Sequence, residues 1–123
     1  MPELPEIETI KSVIEPQIQG LTIENVLVNR PEVIAHPTAD EFCEDVTGQE
    51  IFSMVRRGKF LIINLGNKNK IIRHLRMTGC LLVTPSDYQL EKHTHIMMQL
   101  SNGMELRFSD TRRFGRFWLI RND

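Results

Sequence analysis

Apolar residues recur along the chain in two rhythms. Near the start, Ile7, Ile10, Ile14 and Ile18 fall three and four apart, with Val13 alongside. That spacing lines one face of an α-helix. Pro5 suits the first turn of such a helix, and Gly20 suits its stop. Pro16 has no backbone N–H, so the pattern predicts a kink or an end near Glu15. A short second helix is predicted at Thr38-Ala39-Asp40-Glu41. Thr and Glu three apart make a capping box, Phe42 and Val46 give the apolar side, and Gly48 closes it.

The other rhythm is short runs of Ile, Val, Leu and Phe bounded by turn residues. These predict strands over 22–29, 50–57, 59–65, 70–76, 80–84, 94–100, 104–109 and 115–120. Asn102-Gly103 marks a two-residue hairpin, Gly66-Asn67 a second turn, and Pro85-Ser86-Asp87 opens a longer loop over 85–93. There is no internal repeat and no low-complexity linker. Eight short strands after one helix point to an antiparallel sandwich or barrel.

Size and composition narrow the class. The 123 residues, 14.3 kDa, suffice for one domain. At 41% hydrophobic, the chain is neither a disordered tail nor a coiled coil. No apolar run approaches the ~20 residues of a membrane helix. The opening MPELPEIETI carries Glu and no apolar stretch, unlike a signal peptide, so a cytoplasmic chain is expected. Its two cysteines, Cys43 and Cys80, lie far apart, which excludes a four-Cys zinc site and argues against a disulfide scaffold.

Charge changes the picture more. The net charge of −1 argues against a nucleic-acid partner, but its distribution does not. Residues 1–50 hold 2 Lys/Arg against 11 Asp/Glu; residues 51–123 hold 13 against 5. Two readings fit: a basic face for an anionic partner, or two halves that interleave and neutralise each other.

Several residues have chemistry to offer. If Met1 is removed, Pro2 presents a secondary amine, and an α-amino group has a pKa near 7.7–8. A neutral amine can attack an electrophilic carbon and form an iminium, with Glu3 as acid/base partner. A proline at position 2 is otherwise an ordinary terminus. Lys59 sits between two strands in Arg57-Gly58-Lys59-Phe60, and Arg73, His74 and Arg76 interrupt an apolar run. Such residues at strand ends usually form a solvated rim. His93 and His95 flank Thr94, but no third ligand of suitable spacing accompanies them, so no metal site is expected. Asp110-Thr111-Arg112-Arg113-Phe114-Gly115-Arg116 interleaves cations with an aromatic ring. Arg can pair with phosphate or base edges, and Phe can wedge between bases; a charged loop with one Phe turned inward fits equally.

Taken together, five stretches resemble the formamidopyrimidine-DNA glycosylase family, of the same superfamily as endonuclease VIII. They are Met1-Pro2-Glu3-Leu4-Pro5-Glu6-Ile7-Glu8-Thr9, Arg57-Gly58-Lys59-Phe60-Leu61, His74-Leu75-Arg76-Met77-Thr78-Gly79, Lys92-His93-Thr94-His95 and Asp110-Thr111-Arg112-Arg113-Phe114-Gly115. They occur in family order from end to end. The resemblance implies a mainly β fold with α: a long N-terminal helix, an eight-stranded antiparallel β-sandwich and one short helix. It implies base-excision repair of oxidised purines, such as 8-oxoguanine and formamidopyrimidine, in double-stranded DNA, and action on abasic sites. Pro2 would be the nucleophile, Glu3 the acid/base group at the sugar and Lys59 the essential lysine. His74 would contact phosphate, and Met77, Arg112 and Phe114 would fill the space left by the flipped base.

Arg76, Thr94 and Thr111 stand where Gly, Asp and Pro are usual, and none of these changes removes a catalytic residue. The family continues into a helix–two-turn–helix domain and a four-Cys zinc finger that this sequence does not contain. No cofactor is therefore expected in this chain, and a nucleoid-associated monomer without membrane contact is expected. A non-catalytic or partner-dependent damaged-DNA-binding module is the alternative. A tautomerase with an N-terminal proline base is a third class, against which the non-repeating, strand-rich pattern speaks.

Overall fold

The computed structural model describes residues 12–74, 80–90, 92–109 and 116–121. Helix α1 covers residues 12–18. The remainder of the predicted first helix lies outside the described residues. Then follow β1 (Ile23–Val28), a 3-10 turn (Pro31–Val33), β2 (Ile34–His36), α2 (Ala39–Val46), β3 (Ile51–Arg57), β4 (Phe60–Leu65), β5 (Lys70–His74), β6 (Cys80–Pro85), β7 (Thr94–Leu100), β8 (Met104–Ser109) and β9 (Phe117–Ile120).

Of the two outcomes expected at Pro16, a kink or an end, the end does not occur: α1 runs on to residue 18. Packing outweighs the missing hydrogen bond, because Ile14 and Ile18 are both buried in the core. The Gln17 side chain also donates to the Val13 carbonyl at 2.7 Å, one turn back. The predicted second helix forms as read. Thr38 Oγ1 accepts from the Glu41 amide at 3.2 Å, and Phe42 and Val46 are fully buried.

The strands form two sheets, ordered β1-β7-β8-β6 and β2-β9-β5-β4-β3. Each of the eight predicted strands is present, and every pairing among them is antiparallel. The eight-stranded antiparallel reading needs one correction. A ninth strand, β2, pairs parallel with β9 at the edge of the larger sheet. Three residues, Ile34-Ala35-His36, are too few to carry a period-2 signal. The β7–β8 connection is also longer than the predicted two residues. It spans 101–103, with Gly103 at φ +86° and the Asn102 side chain accepting from the Met104 amide at 3.0 Å.

One hydrophobic core joins both sheets and both helices, drawing Ile18, Phe42, Met54, Ile63, Met98 and Leu106 into a single cluster. Helix α1 also covers the free edge of the larger sheet. Glu15 Oε2 accepts from the Met54 amide at 2.7 Å, and Gln19 Nε2 donates to the Phe52 carbonyl at 3.1 Å. These bonds occupy backbone groups that an unprotected edge strand would offer to another chain. At the other side, Arg121 follows β9 and pairs with Asp45 and Glu41 of α2.

Candidate nucleic-acid interface

The β3–β4 connection is a two-residue hairpin, since Arg57 pairs with Phe60. Gly58 occupies the left-handed region at φ +60°, and Lys59 does not, the pattern of a type II′ turn. The local sequence therefore dictates where Lys59 stands: at the exposed tip, projecting beyond the sheet.

Register then brings His74 to the same end. Phe60, next to Lys59, is the strand partner of His74, and their rings meet edge-to-face at 4.9 Å. The His74 amide donates to the Arg116 carbonyl at 3.3 Å. Arg57, Lys59 and Arg116 are exposed, and His74 is half-buried. The strand ends of β3, β4, β5 and β9 thus gather cations at one end of the larger sheet. This is a local basic surface in a chain of net charge −1. Of the two readings of the charge split, the described residues favour a basic face over full neutralisation at this end.

The smaller sheet ends at the same place. Arg73, adjacent to His74 and only 1% exposed, holds its guanidinium 4.7 Å from the Phe117 ring centroid and 5.8 Å from that of Phe108. Phe108 and Phe117 meet edge-to-face at 4.9 Å across the two sheets. Ser109, just beyond Phe108, pairs with both Cys80 and Thr94. Residues 75–79 are therefore flanked by His74 in one sheet and Cys80 in the other. Residues 110–115 are flanked by Ser109, the partner of Cys80, and Arg116, the partner of His74. Both segments connect paired strand ends at the end that carries Lys59.

Pro2, Glu3, Met77, Arg112 and Phe114 lie outside the described residues. Lys59 and His74 are described, and the fold brings them together. Sequence reading missed Phe60 as the link between them and Arg73 as a buried cation behind them. Arg73 follows the core-facing parity of Ile71, and two rings from distant strands receive its guanidinium there. His95 is 3% exposed, so the His93-x-His95 pair is not an open chelating edge. Among the described residues no three His, Cys, Asp or Glu converge to hold a metal ion. The family's four-Cys zinc finger does not fit a chain with two cysteines. No helix among the described residues is long and apolar enough to cross a membrane.

The family described as formamidopyrimidine-DNA glycosylase N-terminal domain matches residues 1–117. Formamidopyrimidine-DNA glycosylase of Desulforamulus reducens is 45% identical over 121 residues, covering 98% of this chain and 44% of the relative. That of Carboxydothermus hydrogenoformans is 47% identical over 117 residues, covering 95% and 44%. Among solved structures, the Lactococcus lactis protein in complex with FAPY-dG-containing DNA superimposes with a TM-score of 0.91 at 34% identity, over 96% of this chain and 44% of that one. A MutM complex with DNA containing carbocyclic 8-oxo-G gives 0.91 at 35% identity, over 97% and 44%. The chain spans less than half the length of the relatives it matches. On a match that runs from the first residue to β9, with the same fold, the chain belongs to the formamidopyrimidine-DNA glycosylase N-terminal domain family.

Proposed function

We propose that this chain is the catalytic domain of a DNA glycosylase/AP lyase that removes oxidised purines and cuts abasic sites. The observation that carries the reading is the convergence of Lys59, His74 and the strand ends flanking residues 75–79 and 110–115 on one end of the sandwich. In the relatives with the same fold, the bound partner is DNA carrying a lesion or an abasic site.

In this mechanism the damaged nucleotide leaves the base stack. The Pro2 nitrogen attacks C1′ of its sugar. The glycosidic bond breaks, and the base departs with the electron pair and gains a proton. Glu3 exchanges a proton with the opening sugar ring, and the nitrogen and C1′ become an iminium. Loss of a C2′ proton expels the 3′ phosphate, and a second elimination expels the 5′ phosphate. Lys59, on a rigid two-residue turn, supplies a fixed positive charge to a phosphate beside the reacting sugar. His74, braced by Phe60, contacts a neighbouring phosphate. Met77, Arg112 and Phe114 enter the vacated stack, where the guanidinium can donate to the acceptors of the orphaned base.

Chemistry and lesion choice place different demands on this domain. Attack at an exposed C1′ needs only Pro2, Glu3 and Lys59. Excision of 8-oxoguanine also needs the base held out of the stack, at a cost of a few kcal/mol. The test is borohydride trapping and single-turnover cleavage on abasic and 8-oxoguanine duplexes, with the N-terminus processed to Pro2. The expected result is trapping and slow nicking of abasic DNA, lost in Pro2→Gly, with little 8-oxoguanine release. Nicking undiminished in Pro2→Gly overturns the assignment of the nucleophile. DNA binding without any trapping identifies the non-catalytic module instead.

A further inference from the structure

The connection between β6 and β7 crosses the outside of the smaller sheet. Strand β6 ends at Pro85, opposite Met104, and β7 begins at Thr94, opposite Ser109. Between them the chain runs the length of β8, from the hairpin end back to the end that carries Lys59. β8 lies between β7 and β6 in the sheet, so the connection passes over it as a strap. Beneath the strap lie Glu105 and Arg107, which face outward while Leu106 and Phe108 face the core. Both are buried, at 5% and 4% exposure.

Arg107 holds the strap by its backbone. Its Nε donates to Glu105 Oε1 at 2.9 Å. Its Nη1 donates to the Gln89 carbonyl at 3.3 Å, and Nη2 to the carbonyls of Ser86 at 3.3 Å and Tyr88 at 3.2 Å. Glu105 in turn accepts from Gln99 Nε2 at 3.4 Å. A guanidinium presents donors in a fixed planar fork, so one side chain fixes three successive points of a passing chain. A lysine ammonium has no such fork. The side chains of the strap contribute little to its own anchoring: Tyr88 and Leu90 are 57% and 46% exposed. Exposed Lys92 lies three residues beyond Gln89, the last pinned position, and next to half-buried His93.

We propose that Arg107 is a positioning residue: by pinning the carbonyls of Ser86, Tyr88 and Gln89 it sets the length of strap left free, and so holds Lys92 at the DNA-facing end of the sandwich. The inference rests on the DNA-binding reading above. Released from Arg107, the strap remains attached at Pro85 and Thr94, but Lys92 no longer has a fixed place from which to meet a phosphate.

The test is fluorescence anisotropy of the full chain with a duplex carrying a tetrahydrofuran abasic analogue, titrated with KCl. A lost phosphate contact lowers the slope of log Kd against log salt by about 1. Lys92→Gln is expected to show that loss. Arg107→Lys is expected to show the same loss, and the double variant no more than either alone. A residue that merely supported the fold would lower Tm and leave the slope unchanged. An unchanged slope in Arg107→Lys, or in Lys92→Gln, overturns the inference, as does a double variant whose losses add. Absence of salt-dependent binding by the unaltered chain overturns the DNA-binding reading and the inference with it. If Arg107→Lys fails to fold, two glycines inserted between Gln89 and Leu90 lengthen the free strap with Arg107 and the carbonyls it pins intact. The same loss of slope then supports the inference, and a retained slope overturns it.

Discussion

The two sheets share one core but finish their outer faces differently. The smaller sheet is sealed: the strap covers β8, and a charged pair, Glu105 with Arg107, lies beneath it at 2.9 Å. In β7, as a result, every residue but Gln99 is buried, and the polar–apolar alternation of a half-exposed strand disappears. Among the described residues no segment crosses the outer face of the larger sheet. Arg57, Phe60, Ile62, Ile72, Trp118 and Ile120 line a shallow apolar groove of about 390 Å³ there. Strand register explains the stripe, since Val55, Ile62, Ile72 and Trp118 are successive cross-strand partners. The contrast shows that the nature of a residue does not decide its burial here. An ion pair is inside and isoleucines reach the surface, because among the described residues only the smaller sheet has chain passing over it.

The largest way to break this contrast is to unpair the sealed face. Glu105→Ala leaves the Arg107 charge buried without its carboxylate and is expected to cost about 3–5 kcal/mol, read as a lower urea midpoint. A cost under ~1 kcal/mol would mean that water reaches Arg107 and the strap seals nothing. On the open face, Ile72→Thr keeps the branched strand geometry and loses only lateral contact with Ile62 and Trp118. It is expected to change stability by no more than about 1 kcal/mol. A larger loss would show that the groove is closed over in solution.

The smallest effect concerns Cys43 on α2. Its thiol pKa is raised, chiefly by burial and further by Asp40. The folded chain thus holds that proton to higher pH than the unfolded chain does. Any stabilisation from this is present below the ordinary thiol pKa and lost as pH rises through the raised value. In a Cys80→Ser chain, iodoacetamide labelling should reach half its limiting rate at higher pH when folded than in urea. A lower half-point when folded would reverse the assigned cause.

Among the candidate site residues, the place of Lys59 was legible because its geometry is local. Gly58-Lys59 between two apolar runs is a hairpin tip in sequence as in structure, and an antiparallel hairpin fixes which residues face each other. The His74 position follows from that register once β5 is known to pair with β4. Arg73 was not legible in the same way. A cation on the core-facing parity of a strand reads as an error until Phe108 and Phe117, 35 and 44 residues onward, are brought to it. At Pro16 the end that sequence allowed does not occur, for the converse reason. Its local rule is correct, but the burial of Ile14 and Ile18 outweighs it.

By itself the sequence determined the elements whose stabilising interactions lie within a few residues: the Thr38 cap, the Gly58 turn, the positions of eight strands and the motif order that carries the family. Tertiary structure alone decided the order of strands in each sheet, the parallel pairing of β2 and the burial of Arg73 and Arg107. A turn or a cap is settled by sterics and hydrogen bonds between near neighbours, which the sequence states directly. Whether a charge can be buried depends on partners that only the folded chain delivers, since an unpaired ion in the interior is too costly to keep.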